Sequence, residues 1–171
     1  MNKLIILSIM IMALLSSAVF AEDAINFSDA TIAITGNSGT TLTSNAFNIS
    51  NIGTTVVSVS FSNLTLTQVS GTRTINLNPI STVSNLALGS NQSLTVSVAT
   101  GNSFAATYTT LLRAVVTTNT SAFDTIPVSV TINPAPLLTA SALTITTAPE
   151  ISQTGQLTLT NTGNTDLNGV S

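Results

Sequence analysis

The sequence contains no histidine and no cysteine, so acid–base chemistry near neutral pH would fall to its carboxylates. These are Glu22, Asp23, Asp29, Asp124, Glu150 and Asp166. A glycosidase-type pair needs two carboxyl groups held about 5–10 Å apart in a cleft. Most of the six stand at expected strand ends or in linkers, where a solvated acid is the simplest interpretation. We therefore predict that the chain has no catalytic residue and is not an enzyme.

Oxygen ligands for a calcium ion are the next possibility. Asn161, Asn164 and Asp166 lie within six residues of one another and could contribute side-chain oxygens. A calcium site takes about six to eight oxygens, several of them usually from carboxylates. A similar earlier segment carries Thr54 and Val56 where Asn164 and Asp166 stand, so it lacks the acid. We predict no metal site and no cofactor.

Composition excludes further classes of function. Without cysteine or histidine there is no disulfide framework, no thiolate or imidazole metal site and no catalysis by a Ser-His-Asp or Cys-His arrangement. Three basic residues in 171, with a net charge of −3, cannot form a phosphate-neutralising patch, so nucleic acid is not an expected partner.

Asparagine glycosylation motifs begin at five positions, a number that chance gives at this serine and threonine content: Asn26, Asn48, Asn63, Asn91 and Asn119.

The N-terminus has the pattern of a secretory signal peptide. Lys3 precedes an apolar run over 4–15 that only Ser8 interrupts, and small residues lead up to Ala21. We predict that residues 1–21 are a signal peptide and that the protein is secreted or displayed on the extracellular cell surface. The alternative is an uncleaved anchor, because residues 4–21 approach the roughly 18-residue length of a membrane span.

The remainder is predicted to be all-β. Apolar residues alternate with Thr, Ser or Asn in six segments, and Gly- and Asn-rich turns separate them. The apolar positions are Ile32/Ile34, Phe47/Ile49, Val57/Val59/Phe61, Leu64/Leu66, Leu94/Val96/Val98 and Val128/Val130/Ile132. About seven short strands in roughly 110 residues indicate an antiparallel β-sandwich of immunoglobulin-like type over 22–133. Its expected core contains Phe47, Ile49, Val57, Val59, Val96, Leu112, Val128 and Val130.

Tyr108 is the single tyrosine and precedes the predicted strand 110–116. In immunoglobulin-like sandwiches a tyrosine at this place often donates a hydrogen bond to nearby backbone at a corner. The alternative is an ordinary half-buried tyrosine.

An internal repeat links the two halves of the chain. The segment 47–55, which contains Asn51-Ile52-Gly53, recurs as 157–165 with Asn161-Thr162-Gly163, an offset of 110 residues. Both are interpreted as turns that need a positive φ at the glycine. The Pro-containing stretch at 134–139 is expected to be a semi-rigid linker. Residues 140–171 would then begin a second copy, truncated after about three strands.

These features resemble tandem immunoglobulin-like repeats of bacterial and archaeal secreted surface proteins, of the cell-adhesion-related bacterial type. The resemblance covers 25–133 and the start of a second copy, and it rests on strand phase, the Asn-x-Gly turns, the segment 89–98, Tyr108 and the closing strand 126–132. It implies a non-catalytic structural or adhesive module with other repeats or cell-surface components as partners. Membrane contact would come only through the signal peptide or through a C-terminal anchor missing from this sequence. Two alternatives remain: an accessory carbohydrate- or protein-binding module of a larger secreted enzyme, or a secreted enzyme whose catalytic domain lies beyond Ser171.

Few features protect the strand edges from pairing with other chains. Past residue 21 the sequence has no lysine, and the outward strand positions are mainly Thr and Ser. Arg113 and Pro127 are interpreted as the two guards. We therefore expect the protein to associate into a stacked or tandem array.

Overall fold

A computed structural model describes residues 22–145, 152 and 154–167. The predicted signal peptide at 1–21 and the carboxylate of Glu150 lie outside these ranges. The described residues form strands and turns without a helix. The strands are β1 (Ile25–Phe27), β2 (Ile32–Gly36), β3 (Thr41–Thr43), β4 (Phe47–Asn51), β5 (Val57–Ser62), β6 (Thr65–Gln68), β7 (Thr74–Asn76), β8 (Val83–Leu86), β9 (Asn91–Leu94), β10 (Ser97–Ala99), β11 (Thr107–Val116), β12 (Asn119–Ile132), β13 (Leu138–Ala140) and β14 (Leu159–Asn161).

Twelve of these strands make two layers. One layer has the order β1-β4-β9, and the antiparallel pair β3–β10 continues it. The other has the order β2-β12-β11-β5-β8, with β6 also paired to β11 and β7 paired to β6. The chain leaves the first layer after β1 and enters the second at β2, which runs parallel to β12. The predicted class, an all-β immunoglobulin-like sandwich, is confirmed, but the prediction that both sheets are antiparallel is wrong because β2 and β12 pair in parallel.

The core lies between the layers and follows the alternation read from the sequence. All eight predicted core residues are buried, and Ile49, Val59, Leu112 and Val130 are fully so. β11 shows how the pattern works: Leu112 and Ala114 are buried, whereas Arg113 between them is half-exposed. Such burial contributes about 1.5–3 kcal/mol for each fully buried Val, Leu or Ile side chain.

The predicted strand containing Leu94, Val96 and Val98 is interrupted. The structure divides it into β9, which pairs with β4, and β10, which pairs with β3. Ser44 lies opposite the break: its N–H donates to Val96 O at 2.9 Å, and its hydroxyl accepts from Val96 N at 3.0 Å. A side-chain oxygen thus replaces a backbone carbonyl in the ladder, and the regular strand pairing is interrupted there.

The prediction that Arg113 guards a sheet edge is wrong. It lies in β11, an interior strand, opposite Thr125 of β12 and Ser62 of β5. Its guanidinium stacks on the Phe123 ring, 4.3 Å from the centroid, and donates to Thr120 O at 3.2 Å. Pro127 does stand at the boundary of an edge, one residue before β12 begins to pair with β2 at Val128.

A separate antiparallel hairpin, β13–β14, follows the sandwich. β12 ends at Ile132 and β13 begins at Leu138, inside the stretch expected to be linker. The connecting segment is therefore 133–137. Over the part of the chain that the structure describes, no helix is long and apolar enough to cross a membrane.

Candidate functional site

Three of the described carboxylates accept hydrogen bonds from other groups of the fold. Asp124 accepts from Phe27 N at 2.7 Å through Oδ2 and from Thr125 N at 2.7 Å through Oδ1, which ties β12 to β1. Asp23 accepts from the Thr55 hydroxyl, and Asp29 accepts from the Ser28 hydroxyl at 2.7 Å. Each of these three acids is thus engaged as a hydrogen-bond acceptor within the fold. Among the described residues there is no group of three or more His, Cys, Asp or Glu residues that could hold a metal ion.

Of the three residues considered as calcium ligands, two use their side-chain oxygens in hydrogen bonds within the fold. Asn161 and Asn164 use their side-chain oxygens to accept backbone N–H groups at 3.0 and 2.6 Å. Asp166 is exposed. Two of the three oxygens are thus already engaged in shaping a turn.

A shallow groove of about 460 Å³ lies on the outer face of β2, β12 and β11. Its nine lining residues are apolar or carry hydroxyl groups, and none is ionisable: Thr31, Ile32, Ala33, Thr109, Thr110, Leu111, Pro127, Val128 and Ser129. In the described residues every buried side-chain nitrogen and oxygen has a hydrogen-bond partner. The groove therefore offers shape and apolar surface without a reactive group.

The turn after β4 is built around the buried side chain of Asn51, which makes three hydrogen bonds. Its side-chain amide donates to Thr55 O at 2.6 Å and to Leu86 O at 2.9 Å, and its oxygen accepts from Gly53 N at 3.0 Å. The backbone of this turn also holds the N-terminal segment: Ile52 N and Gly53 N both donate to Ala24 O, at 3.0 and 3.1 Å. The Asn51 side chain thus connects the end of β4 to β8 and to the loop before β5.

The same hydrogen bonds recur in the β13–β14 hairpin. The Asn161 amide donates to Thr165 O at 2.7 Å and its oxygen accepts from Gly163 N at 3.0 Å. Thr162 N and Gly163 N both donate to Leu137 O, at 2.9 and 3.2 Å. Each bond has its counterpart in the first turn, with Leu137 in the place of Ala24.

The correspondence continues along both strand pairs. Ser28 N donates to Asn48 O at 3.0 Å, and Asn48 N donates to the Ser28 hydroxyl at 3.1 Å. Ser141 N donates to Thr158 O at 2.9 Å, and Thr158 N donates to the Ser141 hydroxyl at 3.0 Å. The repeat identified in the sequence aligned the two turns but not the strands that precede them. The reason is a difference in spacing: Ser28 and Asn48 are 20 residues apart, whereas Ser141 and Thr158 are 17 residues apart.

The prediction that both turn glycines need a positive φ is wrong. The glycines with positive φ in the described residues are Gly39, Gly89 and Gly101. A Cβ on Gly53 would instead overlap Glu22 O and lie 2.6 Å from Ala24 N, and one on Gly163 would lie 2.5 Å from Ala135 O and Leu137 N. Glycine is required because another backbone segment passes directly over the turn.

Asn164 joins the hairpin to the sandwich. Its side-chain nitrogen donates to Ser38 Oγ at 3.2 Å and to Asn133 O at 3.0 Å, and its backbone carbonyl accepts from Ala105 N at 2.8 Å. A cleft of about 350 Å³ adjoins these bonds and is lined in part by Asn102 and Pro136. Sequence reasoning treated Asn164 only as a weak metal ligand; the signal available was the Thr-to-Asn difference between the two turns.

The predicted tyrosine corner is confirmed at the same end of the molecule. Tyr108 is fully buried, and its hydroxyl donates to Phe104 O at 2.9 Å. Burial raises the pKa of the Tyr108 hydroxyl above its usual value of 10.0, and the positive charge of Arg73 lowers it in part. The Arg73 guanidinium stacks on the Phe104 ring, 4.0 Å from the centroid.

The hairpin has an exposed apolar face, whereas the corresponding face of the sandwich is buried. Leu159 is 47 % exposed, whereas Ile49 at the matching place is 0 % exposed. Leu157 is 50 % exposed and its counterpart Phe47 only 3 %. The hairpin therefore has the strand pair of a sandwich without an opposite layer in the described residues.

The sequence matches no protein-family model, and no curated protein matches it. Among solved structures, the ASH/PapD-like domain of human CEP192 (PapD-like domain 7) is similar, with a TM-score of 0.47 and 15% sequence identity. The match covers 63% of this chain and 84% of that chain. A likeness of this size carries no inference about binding or activity.

Proposed function

We propose that the protein is a non-catalytic structural or adhesive repeat protein of the cell surface or the secreted fraction, built from immunoglobulin-like sandwich units in tandem. The observation that carries this proposal is the recurrence of the Asn51 hydrogen bonds around Asn161. Two turns that share these two side-chain bonds, each crossed by its own N-terminal segment, are what a duplicated unit produces; the further Asn51 bond to Leu86 O belongs to the complete sandwich. The cell-adhesion-related bacterial type is the proposed kind of repeat.

The absence of a reactive cluster among the described residues supports a non-catalytic role. The described acids accept hydrogen bonds from backbone or hydroxyl groups or lie exposed, and the outer groove has no ionisable lining. An extracellular location is supported by the signal pattern at 1–21.

Fractionation of native cells tests this function. The protein is expected in the cell envelope or the medium, retained by other surface proteins and released by chaotropes. Recovery from the cytosol would contradict the proposal.

The second candidate, an accessory carbohydrate-binding module, is tested by pull-down on insoluble polysaccharides. Sugar binding usually employs exposed aromatic faces, and only Phe123 is a largely exposed aromatic ring in the described residues, already stacked with Arg113. We expect no binding to polysaccharides. Saturable binding would favour the accessory module instead.

A further inference from the structure

Thr54 and Asn164 occupy the same place in the two matched turns. Thr54 Oγ1 accepts from Glu22 N at 2.8 Å, and Thr54 N donates to Glu22 O at 2.9 Å. Asn164 Oδ1 accepts from Ala135 N at 2.6 Å, and Asn164 N donates to Ala135 O at 3.2 Å. Either residue can therefore close the turn on its own N-terminal segment.

Asparagine adds a group that threonine lacks, an NH₂ with two donors. In Asn164 both are used away from the hairpin's own turn, on Ser38 Oγ of the sandwich and on Asn133 O at the end of β12. The receiving surface is itself braced, because Asn133 Nδ2 donates to Asn37 Oδ1 at 3.0 Å and Asn133 N donates to Gly36 O at 2.8 Å. The acceptors are thus fixed by the sandwich before the hairpin contacts them.

The connecting segment adds a second restriction. Pro134 and Pro136 fix their own φ, and each confines the preceding residue to extended backbone. A short extended connection places Ala135, which Asn164 binds through two bonds, directly beside the sandwich. The contact at Asn164 then fixes the remaining rotation between the units.

We propose that the end of the sandwich formed by Ser38, Ala105 and Asn133 is a docking surface for the Asn-x-Gly-Asn turn of the following repeat. The residue at the position of Thr54 and Asn164 decides whether a repeat docks onto the preceding one. A repeat with asparagine there docks, and a repeat with threonine there is the first of an array. This inference rests on the proposed tandem function and deepens it, since it makes the array a rod of fixed twist. The partner is a second unit of this chain's own kind.

The test is a distance measurement between spin labels in the exported chain. The sequence has no cysteine, so Gln92→Cys and Gln156→Cys at exposed positions give two unique labels, one on each unit. The chain with Asn164 is expected to give one narrow distance distribution. Asn164→Thr installs the residue of the first turn, keeps the acceptor for Ala135 N, and is expected to broaden the distribution about two-fold or more, as for units on a free linker. Ser38→Ala, on the other side of the contact, removes one bond and should broaden it less.

Thr54→Asn is the matched control, because it makes the reciprocal exchange at a turn with no sandwich before it in the described chain; the distribution should not change. A narrow distribution in Asn164→Thr, or a broad one in the unaltered chain, would overturn the docking surface. Hydrogen exchange of the Gly163 amide separates this failure from that of the tandem function. A protected Gly163 amide with broad distances overturns docking alone, whereas a freely exchanging Gly163 in every variant overturns the duplicated unit as well.

Discussion

The hydroxyl of Tyr108 donates a 2.9 Å hydrogen bond to the carbonyl oxygen of Phe104, four residues earlier in the chain. The bond closes the corner by which the chain enters β11, and the Tyr108 ring lies in the core. Tyr108→Phe keeps the ring and removes only the hydroxyl. We expect it to lower the free energy of unfolding by about 0.5–1.5 kcal/mol, as measured by urea denaturation. An unchanged midpoint would show that the corner bond adds nothing.

The same hydroxyl predicts how stability depends on alkaline pH. Its pKa is raised in the folded state, so the folded chain binds the hydroxyl proton more tightly than the unfolded chain does. Stability from this source is fully present below pH 10 and is lost as pH rises through the folded pKa. Thermal unfolding between pH 8 and 11.5 should show this loss in the natural chain and not in Tyr108→Phe. The same loss in both proteins would contradict the assignment.

Asn51 and Asn161 form a matched pair for substitution by alanine. Asn51 is fully buried, and its loss removes the donor to the Thr55 and Leu86 carbonyls, while the Gly53 N–H keeps only its bond to Ala24 O. We expect Asn51→Ala to cost about 1–3 kcal/mol of stability. Asn161 makes the corresponding turn bonds while exposed to water, so Asn161→Ala should change sandwich unfolding by about 0.5 kcal/mol or less. Equal costs in denaturant titration would refute the special role of burial at Asn51.

Gly53→Ala should displace residues 22–24 from β4, because the added Cβ would overlap Glu22 O. The expected cost is about 1–3 kcal/mol, with faster hydrogen exchange of the Ile52, Gly53 and Thr54 amides that donate to this segment. Gly89→Ala is the control: its φ is +69° and nothing lies within 4 Å of the added Cβ. It should cost roughly 1–2 kcal/mol without altering exchange at 52–54. Unchanged exchange in Gly53→Ala would contradict the close-approach explanation.

Self-association should depend on the open face of the hairpin. Leu157 and Leu159 are exposed there, and both edges of β13–β14 are unpaired in the described residues. The double change Leu157→Ser/Leu159→Ser should lower the weight-average sedimentation coefficient at high micromolar concentration. Val69→Ser, at a still more exposed apolar site on the sandwich, is the control and should leave the sedimentation coefficient unchanged. Added salt should matter little, because the described surface carries few charges. A monomeric natural chain would refute the array.

The sandwich could be predicted from alternation, since Phe47, Ile49 and Val59 repeat every two residues and only one strand face fits a core. The interruption at Ser44 could not, because it depends on a side-chain oxygen meeting a strand 52 residues away. The reason for Gly53 was also hidden, since a positive φ and a crowded backbone both select glycine. The junction at Asn164 required knowing that Ser38, 126 residues earlier, lies beside it.

The most direct test of the proposed secreted repeat protein uses its lysine content. Lys3 is the single lysine of the 171 residues, so after cleavage behind Ala21 the one amine within 22–171 is the α-amino group of exposed Glu22. Intact cells are treated with a membrane-impermeant amine reagent, and the protein is then analysed by mass spectrometry. We predict one label, on the α-amine of Glu22. A label at Met1 or Lys3, or labelling only after lysis, would contradict the account.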